Sequence, residues 1–187
     1  MKVTLRKQED FTEEELMHYA GNSVLGALTG KVHILAHFSD EPTIHYEGEG
    51  DWIDLKTAEE ASLSGGEFSL ISLGVSMQIP EGYEAHLLPR SSTFKKYGIF
   101  VANGMGIIDN NYCGTNDIWK LAAYATRDVT IPKGTRLAQF RFVKTMEAEL
   151  FGKFAYTRID SHENEIVFIE CAELPGPDRG GFGSTGN

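Results

Sequence analysis

The sequence predicts an all-β fold, and three observations predict it. Apolar residues alternate with more polar neighbours at period two in several stretches. Turn signals rich in Gly, Pro and Asn punctuate the chain at short intervals. Helical spacing is confined to one segment near the N-terminus. Many short strands joined by close turns imply a compact barrel or sandwich.

The helix comes first. Thr12-Glu13-Glu14-Glu15 reads as a capping box, in which the Thr hydroxyl bonds a free N–H while Glu15 reaches back. Leu16, Tyr19, Ala20 and Ser23 recur at helical spacing, so a helix is predicted over about residues 12–20, weakened at Gly21-Asn22. Val32, Ile34, Ala36 and Phe38 then alternate as a half-buried strand. His33 and His37 form H-x-x-x-H in that stretch. No acidic base lies between them and no third ligand is evident, so both are read as strand residues. Turn signals follow at Ser64-Gly65-Gly66, Pro80-Glu81-Gly82, Asn103-Gly104 and Pro132-Lys133-Gly134. Ala138, Phe140 and Phe142 in LAQFRFV alternate, as do Ile166 and Phe168 in EIVFIE. The segment 153–174 is charged and then apolar, and is read as an extra hairpin.

Composition narrows the function. At 187 residues with 41% hydrophobic and 24% charged, the chain suits a single domain, 1–187, with a real core. It carries 17 Lys plus Arg against 27 Asp plus Glu, a formal net charge of −10. An acidic surface repels a phosphate backbone, so direct nucleic-acid binding is not expected. MKVTLRKQEDF contains no apolar h-region, and no apolar run approaches the ~20 residues of a membrane span. Cys113 and Cys171 show no metal-type spacing and make no disulfide framework. These features lead to the expectation of a soluble intracellular, cytoplasmic protein.

The glycine-rich end needs separate treatment. Residues 181–186 spell G-x-G-x-x-G. A dinucleotide loop must lie between a strand and a helix, and one residue is left here for a helix. The tail still has chemistry in it. Glycines let backbone N–H groups approach an anion. Ser184 and Thr185 add hydroxyls, Arg179 adds a fork suited to phosphate, and Phe182 offers a flat face for a base. A glycine-rich terminus is also compatible with plain disorder. The Arg and Phe within it favour a mobile flap, residues 178–187, over a phosphorylated ligand.

Five segments in order carry a family resemblance: GDWIDLKTAEE at 50–60, PRSSTFKKYGI at 89–99, NGMGIIDNNYCG at 103–114, GTRLAQF at 134–140 and RGGFGSTG at 179–186. In these the chain resembles the homotrimeric dUTPase family (deoxyuridine 5′-triphosphate nucleotidohydrolases). The GDWIDL and NDIWKLAAYA wording is most like phage-type and Bacillus-type members. The resemblance covers roughly residues 46–151 plus the tail. It implies a distorted jelly-roll-like β-barrel of the dUTPase-like, or β-clip, type, with a short N-terminal helix as an insertion. It also implies hydrolysis of dUTP to dUMP and pyrophosphate, which keeps uracil out of DNA and supplies dUMP for dTMP synthesis.

Each motif then acquires an implied role. Asp109, ionised at neutral pH, is the implied general base for water attacking the α-phosphorus. Read alone it is equally a turn-forming Asp beside Asn110-Asn111. Tyr112 would pack under the deoxyribose and leave no room for a 2′-OH. Asn103, Ile107 and Ile108 would form the uracil pocket, whose backbone groups refuse cytosine. Arg90, Ser91 and Ser92 fall where the family holds phosphate oxygens, with Ser92 standing where Gly is usual. Gln139 is a polar contact near the phosphates, whereas Arg136 is read as structural. Arg179, Phe182, Gly183, Ser184 and Thr185 would close over the substrate. Asp54 would hold waters of a Mg²⁺ bound by the phosphates, in a setting altered by Asp51-Trp52-Ile53. The assembly implied is a homotrimer. One chain gives the first, second and fourth motifs to each site, a second gives the hairpin, and a third gives the tail.

Two alternatives belong to other classes. A dCTP deaminase shares the fold and an R-S-S signature, but needs a Glu on the strand after the third motif. Residues 116–124 contain none, and Asp117 comes too early. A nucleotide-binding regulator of a repressor-like partner would use the extra segments, about 8–45 and 152–175, as a protein-binding surface; these are equally packing decorations on the barrel.

Overall fold

The structure is a computed structural model that describes residues 1–21, 31–48, 50–151 and 164–181. Its strands are β1 (Lys2–Lys7), β2 (Lys31–Phe38), β3 (Ile44–His45), β4 (Ile53–Lys56), β5 (Ala61–Leu63), β6 (Phe68–Ser72) and β7 (Val75–Met77). They continue as β8 (Tyr83–Pro89), β9 (Ile99–Val101), β10 (Gly106–Ile108), β11 (Lys120–Ala125), β12 (Val129–Ile131), β13 (Arg136–Lys144) and β14 (Glu165–Glu170). The helices are α1 (Glu13–Gly21), α2 (Thr93–Tyr97) and α3 (Met146–Phe151), after a 3₁₀ turn at Gln8–Asp10. The fold is mostly β, as the alternation predicts, and jelly-roll-like, as the resemblance implies. No helix among the described residues is long and apolar enough to cross a membrane.

The sheet that positions the site is antiparallel, in the order β10-β8-β13-β4-β3. Its inner face carries Ile53, Leu55, Ala85, Leu87, Ala138 and Phe140, all at 2% exposure or less. Trp119 packs edge-on against Phe140 with ring centroids 5.2 Å apart. Smaller sheets, β6-β11-β9 and β12-β5, complete the barrel wall.

A four-stranded sheet, β1-β14-β2-β7, covers the other end of this core. Here the structure corrects the expectation of a hairpin within 153–174. β14 runs parallel to β1 on one edge and to β2 on the other. A strand with both edges taken has none left for a hairpin partner; residues 152–163 lie outside the described ones. The four residues between Glu165 and Glu170 are all apolar because both faces of β14 are covered, as in parallel sheets generally. Phe168 enters the main core and lies 6.4 Å from Phe140. Val167 and Ile169 face the other way, with Leu35, Cys171 and Leu174, under Phe11, Leu16 and Tyr19.

Register in this sheet is pinned by charge. Glu165 stands between Lys2 and Lys31 on the neighbouring strands, 3.4 and 3.2 Å from their ammonium groups. It also accepts from the Thr4 hydroxyl at 2.9 Å. That hydrogen bond and the two lysines hold its carboxyl below the usual range.

The predicted helix forms with the predicted cap. The Glu15 carboxylate accepts from the Thr12 N–H at 2.8 Å, and the Thr12 hydroxyl accepts from the Glu15 N–H at 3.2 Å. Tyr19 stacks on His33 at 4.1 Å between centroids, with Phe11 edge-on to both. Ser23, placed in the helix by spacing, lies outside the described residues. His33 is a packing residue whose burial disfavours the imidazolium, and His37 lies 3.3 Å from the Cys171 carbonyl.

Phe168→Ala empties the contact between the two sheets. Losing a fully buried aromatic ring costs about 3–5 kcal/mol. Urea denaturation of the variant is expected to show that loss; a cost under about 1 kcal/mol would mean β14 is a surface addition.

Candidate functional site

Residues of the third motif and the tail share one cavity. It measures about 290 Å³, and its lining includes Asn103, Ile107, Ile108, Asp109, Tyr112, Arg179, Gly180 and Gly181. The hairpin implied for the third motif is not formed: β9 pairs with β11 and β10 with β8, and the two strands, in different sheets, are joined at the cavity edge by a turn through Gly104 with φ +75°. A Cβ on Gly106 would lie 3.1 Å from Leu87, so glycine lets β10 settle against β8. Ile108 points into the core at 9% exposure, whereas Ile107 is 58% exposed. Asp109 follows the strand and its carboxylate is open to solvent. The Tyr112 hydroxyl donates to the Ile118 carbonyl at 3.3 Å, which fixes the ring in the cavity wall. Burial, then the nearby Asp117 and Asp178 charges, push that phenol up, so it stays neutral.

The phosphate-side residues form a second group. β13 sets Gln139 opposite Asp54 of β4 and Leu88 of β8. Arg90, just beyond β8, donates from Nε to Asp54 Oδ1 at 2.8 Å. Arg136 lies 3.5 Å from the other Asp54 oxygen and also pairs with Glu47. The arginine, with His45 second, holds the Glu47 carboxyl below its usual range. Gln139 donates to the Pro89 carbonyl at 3.2 Å. Ser91 is exposed and Ser92 half-buried. Ser92 has φ −90° and ψ −10°, a conformation open to any residue, so its replacement of glycine strains nothing. Trp52 is half-buried under the Arg141 guanidinium, 5.1 Å from the ring centroid.

This donor set fits a hydrated cation rather than a caged one. Asp54 is the single carboxylate that the first motif turns to the patch, and its oxygens already face guanidinium groups. Each oxygen keeps lone-pair capacity for a water. No group of three or more His, Cys, Asp or Glu gathers among the described residues. Mg²⁺ with few carboxylates, several waters and substrate phosphates matches that chemistry.

The cavity lining does not include Asp54, Arg90, Ser91, Ser92 or Gln139, so the chain presents two partial sites. The described part of the tail lies against its own chain. Arg179 lies 3.6 Å from Asp109 of its own chain, and Gly181 lies against its own Tyr112. Phe182, Gly183, Ser184 and Thr185 lie outside the described residues.

Asp117, which no motif role includes, holds the tail root. It is 1% exposed. Its carboxylate accepts from the N–H groups of Gly114 at 3.0 Å, Arg179 at 3.0 Å and Gly180 at 2.9 Å. Asp178 adds a second hook by accepting from the Asn116 backbone and side-chain N–H groups at 2.8 and 2.6 Å. The one sequence signal was a polar Asn-Asp pair between the third motif and an apolar strand. Lys120 also lines the cavity and was not singled out by sequence.

Comparison with known proteins follows this geometry. The family model described as dUTPase matches residues 42–164, leaving β1, α1, β2, β14 and the glycine tail outside the match. The SPbeta prophage-derived deoxyuridine 5′-triphosphate nucleotidohydrolase YosS of Bacillus subtilis (strain 168) is 47% identical over 138 residues, 74% of this chain and 85% of that protein. The crystal structure of dUTPase from Streptococcus mutans superposes with TM-score 0.54 at 26% identity, covering 58% of this chain and 91% of that one. The dUTPase of phage phi11 of S. aureus, described with a structural Mg(II) ion, shares the fold at TM-score 0.54 and 19% identity, over 69% of this chain and 97% of that one. A family match across most of the chain, joined to 47% identity with a curated relative, means that the chain belongs to the dUTPase family.

Proposed function

We propose that the chain hydrolyses dUTP to dUMP and pyrophosphate in the cytoplasm, by attack of water on the α-phosphorus. The observation that carries this reading is the cavity beside the turn from β9 into β10. It combines a backbone edge for a pyrimidine, an aromatic wall for a sugar and a solvent-open carboxylate. Uracil fits against the Asn103–Ile108 turn and strand, with the deoxyribose on Tyr112. Asp109 orients a water and takes its proton as the oxygen attacks the α-phosphorus. The bond from that phosphorus to the bridging oxygen breaks, and pyrophosphate leaves.

Arg90, with the Ser91 and Ser92 hydroxyls and Gln139, is suited to hold phosphate oxygens. Asp54 keeps Arg90 oriented and would hold waters of Mg²⁺, which when bound neutralises phosphate charge and aligns the chain of phosphates. The two partial sites support a homotrimer in which neighbouring chains complete each other. Three chains would carry a formal −30, three times −10, so long-range steering of a polyanion is unfavourable. Affinity then rests on local cations.

Chromatography of products from dUTP, dCTP, dTTP and UTP with Mg²⁺ is expected to show conversion of dUTP alone. Asp109→Asn is expected to bind dUTP normally and lose about 10²–10⁴ in kcat. Normal turnover by that variant would remove Asp109 as the base. Chelation of Mg²⁺ is expected to weaken dUTP binding by at least about tenfold in calorimetry; unchanged affinity would count against the phosphate-side reading.

A further inference from the structure

We propose that Trp119 is a further specificity-determining residue for this hydrolysis: its buried indole N–H donates to O4 of the uracil ring. The inference rests on the dUTP-hydrolysis reading and adds to it a side chain outside the motif roles.

The cavity enters the barrel where β9 and β10 part into different sheets. Leu87, Val101, Ile108, Trp119 and Leu121 belong both to its lining and to the core, each at 9% exposure or less, and so mark its inner end. Apolar walls suit the faces of a pyrimidine ring but leave its polar edge without a partner. Trp119 supplies a polar atom among them. It is 1% exposed, and its indole nitrogen is buried with no hydrogen-bond acceptor among the described residues. An indole N–H is a donor only, so nothing but an acceptor can satisfy it. A buried donor without one costs stability, and folded proteins leave few of them. An acceptor brought in by the substrate removes that cost on binding.

The ring is held where it is. The Trp119 backbone N–H donates to the Val75 carbonyl at 2.8 Å, and the Trp119 carbonyl accepts from the Leu73 N–H at 2.9 Å. The indole packs edge-on against Phe140, 5.2 Å between centroids. The Tyr112 hydroxyl donates to the carbonyl of Ile118, the preceding residue, which ties the sugar wall to Trp119. The donor is thus in place before a base arrives, and binding need not order it.

Ring geometry selects O4. The sugar is attached at N1, and C4 stands across the ring from N1. With the deoxyribose on Tyr112, towards the solvent-open Asp109, O4 leads into the cavity and meets the buried residues first. A carbonyl oxygen has two lone pairs, so O4 can take the indole N–H and a backbone N–H together. Cytosine carries an amine at this position. Donor then faces donor away from water, and the indole N–H stays unpaired.

Trp119→Phe keeps an aromatic ring and deletes the N–H. In the full chain with Mg²⁺, KM for dUTP is expected to rise about tenfold with kcat within about twofold, because the contact is made equally in ground state and transition state. With dCTP as a competitive inhibitor of dUTP hydrolysis, the inhibition constant is expected not to rise, so the preference for uracil narrows about tenfold. An unchanged KM for dUTP, a loss confined to kcat, or an equal weakening of dUTP and dCTP overturns the proposal. Indole NMR of the wild type gives a second reading that needs no core substitution. The chain has two tryptophans, and the spectrum of Trp52→Phe identifies the Trp119 N–H signal. Saturating dUMP is expected to move that signal downfield, and dCMP to leave it in place. A signal unmoved by dUMP, or moved as far by dCMP, overturns the proposal, whether or not Trp119→Phe folds. Absence of dUTP turnover by the wild type would refute the hydrolysis reading, while the dUMP titration would still report on the indole donor.

Discussion

The antiparallel pairing of β13 with β8 is the constraint on which both halves of the site depend. It runs from Ala138 opposite Pro89 to Lys144 opposite Tyr83. β13 sets Gln139 against Asp54 on its far edge, and β8 receives β10 on its own. Phosphate-side and base-side residues are thus built from one sheet. A slip of one residue in this pairing would send alternate side chains to the opposite face. The buried inner face, with Leu87 and Phe140, makes that slip expensive.

The arginines of the site are held by carboxylates before any substrate arrives. Arg90 pairs with Asp54, Arg136 with Glu47 and Asp54, and Arg179 with Asp109. These pairs differ in kind. The Arg90 and Asp54 side chains are 25% and 14% exposed, so their pair is partly desolvated and oriented. The Arg179 and Asp109 side chains are 42% and 60% exposed, in a range where a pair is worth about 0–1 kcal/mol. A polyphosphate therefore meets a prepared Arg90 and an Arg179 that is easily drawn away. The carboxylate freed by that second event is the one read as the base.

Local chemistry was legible in the sequence, and long-range pairing was not. Thr12 and Glu15 announced a cap that forms, and the alternation in VHILAHF and LAQFRFV announced β2 and β13. The motifs named the cavity residues of the third motif and Arg90 because their spacing is local. The strand EIVFIE was legible as β14, but its place escaped because its neighbours, β1 and β2, come from the other end of the chain and lie parallel to it. No turn signal can announce such a pairing. Asp117 escaped for a related reason: the amides it holds belong to residues 179 and 180, which nothing in its own neighbourhood announces.

The position of β14 has a consequence for synthesis. β1 and β2 leave the ribosome early, yet neither pairs with the other; the strand that belongs between them is made long after. Until then two edges with unpaired backbone groups stand open, and β7 alone can cover the far side of β2. The antiparallel barrel wall is made in between and has its strands available first. The nascent protein thus holds a cleft shaped for one strand of its own sequence, and a β-prone segment from another chain could fill it. The charges of Lys2 and Lys31, which await Glu165, disfavour an intruder that lacks an acid at that position.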